Sequence, residues 1–247
     1  MPMDKQTCNH YQNLIDQLSR QGPPTAQIIH NGTQDRPTQV GILDASFNPL
    51  TLAHESLIHT SIDTLNLDSI LLMLSLANVD KDLFGASLGQ RLAMIVDYAQ
   101  NQQNISVAIC SHARFVDKIT ALTPCYAPHT QFYFIVGYDT LVRLFDPKYY
   151  SDMHAELQKL FKTCHFIAAN REKNDQQALD TFLQKDAILP FKKRVHTISL
   201  PPNMAQISST TVRNNIKSNK PIDDLVPKSI AKAIHDLHLY SNNATLS

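Results

Sequence analysis

Between residues 39 and 200 the chain alternates short, continuously apolar runs with longer amphipathic ones, and this rhythm constrains the fold more than any other feature. The apolar runs fall at 40–43, 69–76, 105–110, 131–137, 164–169 and 194–200. A strand with one wet face alternates polar and apolar residues, whereas these do not, so both of their faces must be covered. The amphipathic runs supply the cover. Residues 53–65 place Leu57, Ile58, Ile62 and Leu65 on one helical face, and 88–99 do the same with Leu92, Ile95 and Val96. Further helices are expected at 114–122, 140–145, 152–161, 175–184 and 208–217. A last one, at 226–239, has Pro227 early and Ile230, Ile234 and Leu237 inward.

Strands separated by helices in this way predict an α/β fold: a Rossmann-like, doubly wound parallel sheet of about six strands with helices on both faces. A chain of 247 residues can fill one such domain, assigned to residues 38–240. Residues 1–37 are expected to be accessory. A helix over 9–20 carries Tyr11, Leu14, Ile15 and Leu18, and the polar loop 21–37 is broken by Pro23, Pro24, Asn31-Gly32 and Pro37.

Lys+Arg and Asp+Glu balance at 22 each, so no global field draws the chain to nucleic acid or to an anionic membrane. The longest apolar run, 70–74, is too short to span a bilayer, and the first residues lack the apolar stretch of a signal peptide. The cysteines Cys8, Cys110, Cys125 and Cys164 are scattered without a C-x-x-C pair; Cys110 and Cys164 fall in strand runs as core thiols. A reducing compartment is expected, the cytoplasm or nucleus. A homo-oligomer is left open.

Two segments about 155 residues apart carry the chemistry. The front one, Ala45-Ser-Phe-Asn-Pro-Leu-Thr-Leu-Ala-His54, follows the first strand. The back one, Ile207-Ser-Ser-Thr-Thr-Val-Arg213, follows the last. Each opens a helix, whose first N–H groups and positive dipole end favour an anion. Asn48 and Thr51 stand in the front turn, and His54 is placed to donate to phosphoryl oxygens or simply to cap the turn. Ser208 is a natural N-cap, with Arg213 about a turn beyond it. Neither a G-x-x-x-x-G-K-[S/T] loop nor a G-x-G-x-x-G is present. Of six glycines, Gly41 and Gly137 lie where a nucleotide could approach the backbone, or serve as simple turn or bulge glycines.

The combination resembles the nucleotidylyltransferase superfamily, with its strand–H/T-x-G-H–helix and late I-S-S-T-x-x-R motifs. Within it the chain looks most like the nicotinamide/nicotinate mononucleotide adenylyltransferases, in their divergent fungal branch. The matching residues are Ser46-Phe-Asn-Pro49 with Thr51-Leu-Ala-His54, Gln90-Arg-Leu-Ala-Met94, Ile135-Val-Gly-Tyr-Asp139, Ala169-Asn-Arg171 and Ile207–Arg213. The resemblance implies attack by a pyridine mononucleotide's 5′-phosphate on the α-phosphate of ATP, giving a dinucleotide and pyrophosphate. Mg²⁺ would ride on the triphosphate, with no metal site of the protein's own. His54 would meet the α- and β-phosphates, with Thr51 at the family's first histidine or threonine position. Asn48 and the backbone near Ser46 and Phe47 would line the phosphate turn. Ser208, Ser209, Thr210 and Arg213 would hold the β- and γ-phosphates, and Gly137 and Asp139 the ribose or nucleotide. Lys81 and Arg171 would meet phosphate or nucleotide, and Arg91 is a further candidate, unless it is a solvated helix arginine.

The chain departs from that pattern in three places. Thr51 stands where many of these enzymes have histidine, Ala53 where they have glycine, and there is no tryptophan to stack the pyridine. Phe115, Tyr126 or Tyr138 would have to substitute. Two alternatives stay open at this point: a superfamily enzyme with another phosphorylated acceptor, and an ATP-binding or ATP-hydrolysing regulatory protein without transfer activity.

Overall fold

A computed structural model describes residues 3–32, 36–76, 85–170 and 175–241. Seven strands form one sheet in the order β1-β4-β3-β2-β5-β6-β7. The six expected strands are all present: β2 (Gln39–Asp44), β3 (Ser69–Ser75), β4 (Ile105–Cys110), β5 (Gln131–Gly137), β6 (Cys164–Asn170) and β7 (Val195–Ser199). Neighbours among them pair in parallel. The seventh, β1 (Ala26–His30), lies in the stretch read as a polar loop and pairs antiparallel with β4. Its β-branched pair, Ile28-Ile29, was the available signal; the flanking prolines obscured it.

Helices α1 (Lys5–Asp16), α2 (Leu52–Leu65), α3 (Leu88–Gln100), α9 (Ser209–Lys217) and α10 (Lys228–Asp236) pack on one face. On the other lie α4 (Phe115–Leu122), α5 (Tyr138–Leu144), α6 (Met153–Thr163) and α7 (Asp175–Phe182). A short α8 (Pro202–Ala205) precedes α9. Each face has its own core, which is why the strands read as unbroken apolar runs: every residue of β3 and of β4 is buried. Gly41 belongs to that packing. A Cβ there would stand 2.6 Å from Ile70 Cδ1 and 2.8 Å from Leu67 Cδ1, so its missing side chain makes room for the core and not for a nucleotide. None of the described helices is long and apolar enough to cross a membrane.

At the amino ends of β5, β6 and β7, Tyr133, His165 and His196 stack against one another, with 4.6 Å between the Tyr133 and His165 rings. Arg194 lies 2.6 Å from His165 Nε2 and can only donate to it. His165 must then carry its proton on Nδ1 and donate to His196 Nε2, 3.1 Å away. Burial first, then the Arg194 guanidinium, pushes the His165 imidazolium down to about 4. Burial lowers His196 as well. An unfolded imidazole titrates near 6.5. Between the two values the unfolded chain therefore binds more protons, so stability is full above pH ~6.5 and falls as pH drops towards ~4. Thermal unfolding from pH ~7.5 to ~5 is expected to lose melting temperature in the parent. The loss should be clearly smaller in the double variant His165→Phe, His196→Phe.

Candidate active site

The strand order reverses between β2 and β5, and beyond their carboxyl ends lies a cleft of about 2200 Å³. This is the switch point where α/β sheets take ligands. The volume exceeds the roughly 300–1,000 Å³ of a single small-molecule pocket, leaving room for two substrates side by side.

The front turn is built from behind. Leaving β2, the Ala45 N–H still bonds to Met73 O at 3.3 Å, and Phe47 then takes φ 44°. The Asn48 side chain accepts from the Ala86 N–H at 3.2 Å, while Arg91 Nε donates to Ala86 O at 2.8 Å and Nη1 reaches Ser46 O at 3.5 Å. Gly85 (φ 101°) makes this possible, because a Cβ there would lie 2.8 Å from Asn48 Oδ1.

Thr51 is the N-cap of α2, and His54 answers it in a capping box. The Thr51 N–H donates to His54 Nδ1 at 3.1 Å, and Thr51 Oγ1 lies 2.8 Å from the same nitrogen. A backbone N–H cannot accept, so Nδ1 is the acceptor and the ring proton of the neutral imidazole sits on Nε2. Capping the turn and presenting a donor are thus one arrangement. His54 lines the cleft, with its ring 5.6 Å from that of Phe47.

The back segment closes on this turn. Ser208 caps α9, accepting from the Thr211 N–H at 3.1 Å. Ser209 Oγ donates to Pro49 O at 2.8 Å, and Arg213 donates through Nη1 to Asn48 O at 2.7 Å and through Nη2 to Thr210 Oγ1 at 3.1 Å. Two helix starts far apart in sequence are therefore a single unit.

The cytidylyltransferase-like family model matches residues 42–215, which takes in β2, the front turn and the whole back segment. The chain belongs to this family. Within it the similarity falls on mononucleotide adenylyltransferases. A Schizosaccharomyces pombe protein with the provisional name nicotinamide mononucleotide adenylyltransferase is 30% identical, over 93% of this chain and 96% of its own. A Moorella thermoacetica protein provisionally named nicotinate-nucleotide adenylyltransferase is 26% identical over 83% and 93%. The solved Plasmodium falciparum nicotinic acid mononucleotide adenylyltransferase complexed with NaAD has a TM-score of 0.58 at 20% identity. It covers 82% of this chain and 97% of that one, and it supports the fold.

Of the residues singled out in this cytidylyltransferase-like chain, His54, Gly137, Asp139 and Ser208 line the cleft. Thr51 stands behind His54 and fixes its ring, while Ser209 and Arg213 join the two helix starts through the carbonyls of Pro49 and Asn48. Phe47 is buried, whereas Ser46 and Thr210 are exposed. Lys81 and Arg171 lie outside the described residues. Arg91, weighed against a solvated surface role, is 1% exposed and supports the front turn. The signal was present: α3 carries only Arg91 and Asp97 as charges among its 13 residues, the composition of a helix covered nearly all round.

A buried ion pair in the cleft wall went unread in the sequence. Lys118, 1% exposed, donates to Asp44 at the end of β2, whose other carboxylate oxygen accepts from Ser75 Oγ at 2.6 Å. Lys118 falls between Phe115 and Leu122 at helical spacing, on the apolar stripe of α4, and that placement was its signal. Of the candidate aromatics, Phe115 and Tyr138 border the cleft, while Tyr126 packs edge-on against Phe132 away from it.

Proposed function

We propose that this chain transfers AMP from ATP to nicotinamide or nicotinic acid mononucleotide, giving NAD or deamido-NAD and pyrophosphate. The observation that carries the reading is the junction of the two phosphate segments, with Arg213 and Ser209 bonded to the carbonyls of Asn48 and Pro49 beside His54. Relatives provisionally named for this reaction, aligned over nearly the full chain, support it.

In the reaction, a 5′-phosphate oxygen of the mononucleotide forms a bond to the α-phosphorus of ATP. The bond from that phosphorus to the bridging oxygen breaks in line, and pyrophosphate leaves with the electron pair. Little proton transfer is required; alignment and neutralisation of the charge on phosphoryl oxygens are. His54 Nε2–H donates to the α- and β-phosphoryl oxygens, strengthening as charge develops there. The opening N–H groups of α9, Ser208, Ser209, Thr210 and the remaining donors of the Arg213 guanidinium hold the β- and γ-phosphates. Thr51 acts through His54 by fixing its ring. The Ser46–Asn48 backbone borders the phosphates from the opposite side. Gly137 and Asp139 face the ribose, and Lys81 and Arg171 supply further phosphate or nucleotide contacts. Among the described residues no three His, Cys, Asp or Glu side chains cluster as metal ligands. Asp44 is engaged by Lys118 and Ser75. Mg²⁺ would enter with the nucleotide substrate, bound to its phosphates.

The test is incubation of the purified protein with Mg-ATP and each mononucleotide. Dinucleotide and pyrophosphate in equal amounts are expected. Pyrophosphate formed only with a different phosphorylated acceptor, or phosphate released without any acceptor, overturns the reading. Arg213→Ala is expected to lower kcat/KM for ATP about 10- to 100-fold, the worth of hydrogen bonds to a charged group. Arg213→Lys should recover only part of it, since a single ammonium nitrogen lacks the planar fork whose separate nitrogens reach Asn48 O and Thr210 Oγ1.

A further inference from the structure

The first helix of the chain lies outside the stretch matched by the family model, residues 42–215, yet its contacts lead into the site. α1 packs on α3, and Gly89 lets the two come close: a Cβ there would stand 2.5 Å from Cys8 O and 2.9 Å from Gln12 Cβ. The Gly89 N–H belongs to the first turn of α3, whose opening N–H groups find no carbonyl within their own helix. Gln12 Oε1 accepts it at 2.9 Å. The other end of the same amide, Gln12 Nε2, donates to Asp16 Oδ1 at 2.9 Å, which fixes the way the amide faces.

That opening turn of α3 is the rear support of the front turn. Ser87 and Gln90 close a capping box around it. Arg91 donates from it to Ala86 O and reaches Ser46 O, and the Ala86 N–H donates to the Asn48 side chain. Asn48 O then accepts from Arg213. Direct bonds and one turn of helix therefore run without a gap from Gln12 to the junction of the two helix starts. The far end of the chain bears on the same place. The Met3 N–H donates to Asp236 Oδ2 at 3.1 Å, at the end of α10, which also packs on α3. Beyond α10, the buried Tyr240 has a ring carbon 3.1 Å from where a Gly85 Cβ would stand, so Gly85 has both Asn48 and Tyr240 against it.

Building on the adenylyl-transfer reading, we infer that Gln12 is a positioning residue for the nucleotide site. It acts from α1 through Gly89 and the opening turn of α3, and so sets where Asn48 meets Arg213. Close packing at Gly89 leaves no slack to absorb a shift, and small misplacements of groups that align phosphates are felt in rate. The working unit accordingly begins at α1 and not at β2.

Gln12→Ala removes the acceptor and leaves the apolar face of α1 intact. A swapped pair, Gln12→Glu with Asp16→Asn, reverses the local donor and acceptor and still offers Gly89 a carboxylate oxygen, which a helix start favours. Hydrogen exchange is expected to quicken in Gln12→Ala at residues 45–55 and 85–91, and to return to the parent rate in the swapped pair. kcat/KM for ATP should fall roughly 2- to 10-fold in Gln12→Ala, the worth of one neutral hydrogen bond, and recover in the swapped pair. Gly89→Ala gives a second route to the same result. Alanine favours α3 itself, but its Cβ must push α1 away, so the same two changes are expected. An unchanged kcat/KM for ATP in Gln12→Ala, or faster exchange that stops short of residues 45–55, overturns the assignment and leaves adenylyl transfer standing. Exchange that spreads to residues 45–55 in a protein forming no dinucleotide would remove the proposed reaction and keep the brace, its effect then read as weaker binding of a non-hydrolysable ATP analogue.

Discussion

Replacing His54 with alanine is expected to lower kcat for dinucleotide formation by about 10²–10³-fold, the loss seen when one preorganised donor to a developing oxyanion is removed. The geometry gives the reason. Thr51 occupies Nδ1 from its backbone N–H at 3.1 Å and approaches it with its hydroxyl at 2.8 Å, which leaves the ring proton on Nε2 and the ring unable to turn. A donor held in this way needs no reorganisation when charge builds on the α-phosphate, and an alanine leaves water to do the same work with no fixed direction. The substitution also deletes half of a capping box, a loss of about 1 kcal/mol, or about 2–4 °C in melting temperature for a chain of this size. Activity is therefore compared well below the transition, beside the binding of a non-hydrolysable ATP analogue. Thr51→Val separates the two functions: it keeps the backbone donor and removes the hydroxyl, so kcat should fall by no more than about 10-fold. An unchanged kcat in His54→Ala would remove His54 from the mechanism.

Lys118→Met is expected to reduce folding stability by about 3–5 kcal/mol, because it removes the buried cation that faces the Asp44 carboxylate. The lysine is 1% exposed, so solvent screens the pair little. Adding Asp44→Asn to Lys118→Met should restore much of it, since a neutral amide can still accept from Ser75 and no bare charge remains. Urea unfolding of the single and double variants measures both quantities. A loss under about 1 kcal/mol in Lys118→Met would mean that the pair behaves as a solvated surface bridge.

The strands and helices of this fold were legible because a doubly covered sheet writes its core continuously into the sequence, as in β3 and β4. The two helix starts read as phosphate segments were legible for a different reason: capping residues and a following arginine are local signals. What the sequence did not disclose are pairings between distant side chains. Asp44 and Lys118 are separated by 74 positions, and Arg91 reaches Ser46 across 45. A charge on an apolar stripe indicates that a partner exists, but only the strand order names it. The edge strand β1 was hidden for a third reason. Half-covered and short, it has two isoleucines amid polar residues, and its pairing with β4 spans more than 75 positions of chain.

The bonds from Ser209 and Arg213 to Pro49 and Asn48 span 160 and 165 residues, and they exist before any nucleotide arrives. The entropy of gathering the two anchors is thus met in folding, and on the proposed reading ATP would encounter a finished socket instead of assembling one. All seven strands end before residue 200. A chain cut there would keep its entire sheet and most of both cores, yet possess only half of the socket. If the junction is that socket, competence is conferred by α9, which follows the whole sheet in the chain, so a nascent chain would be folded in outline before it could hold its substrate.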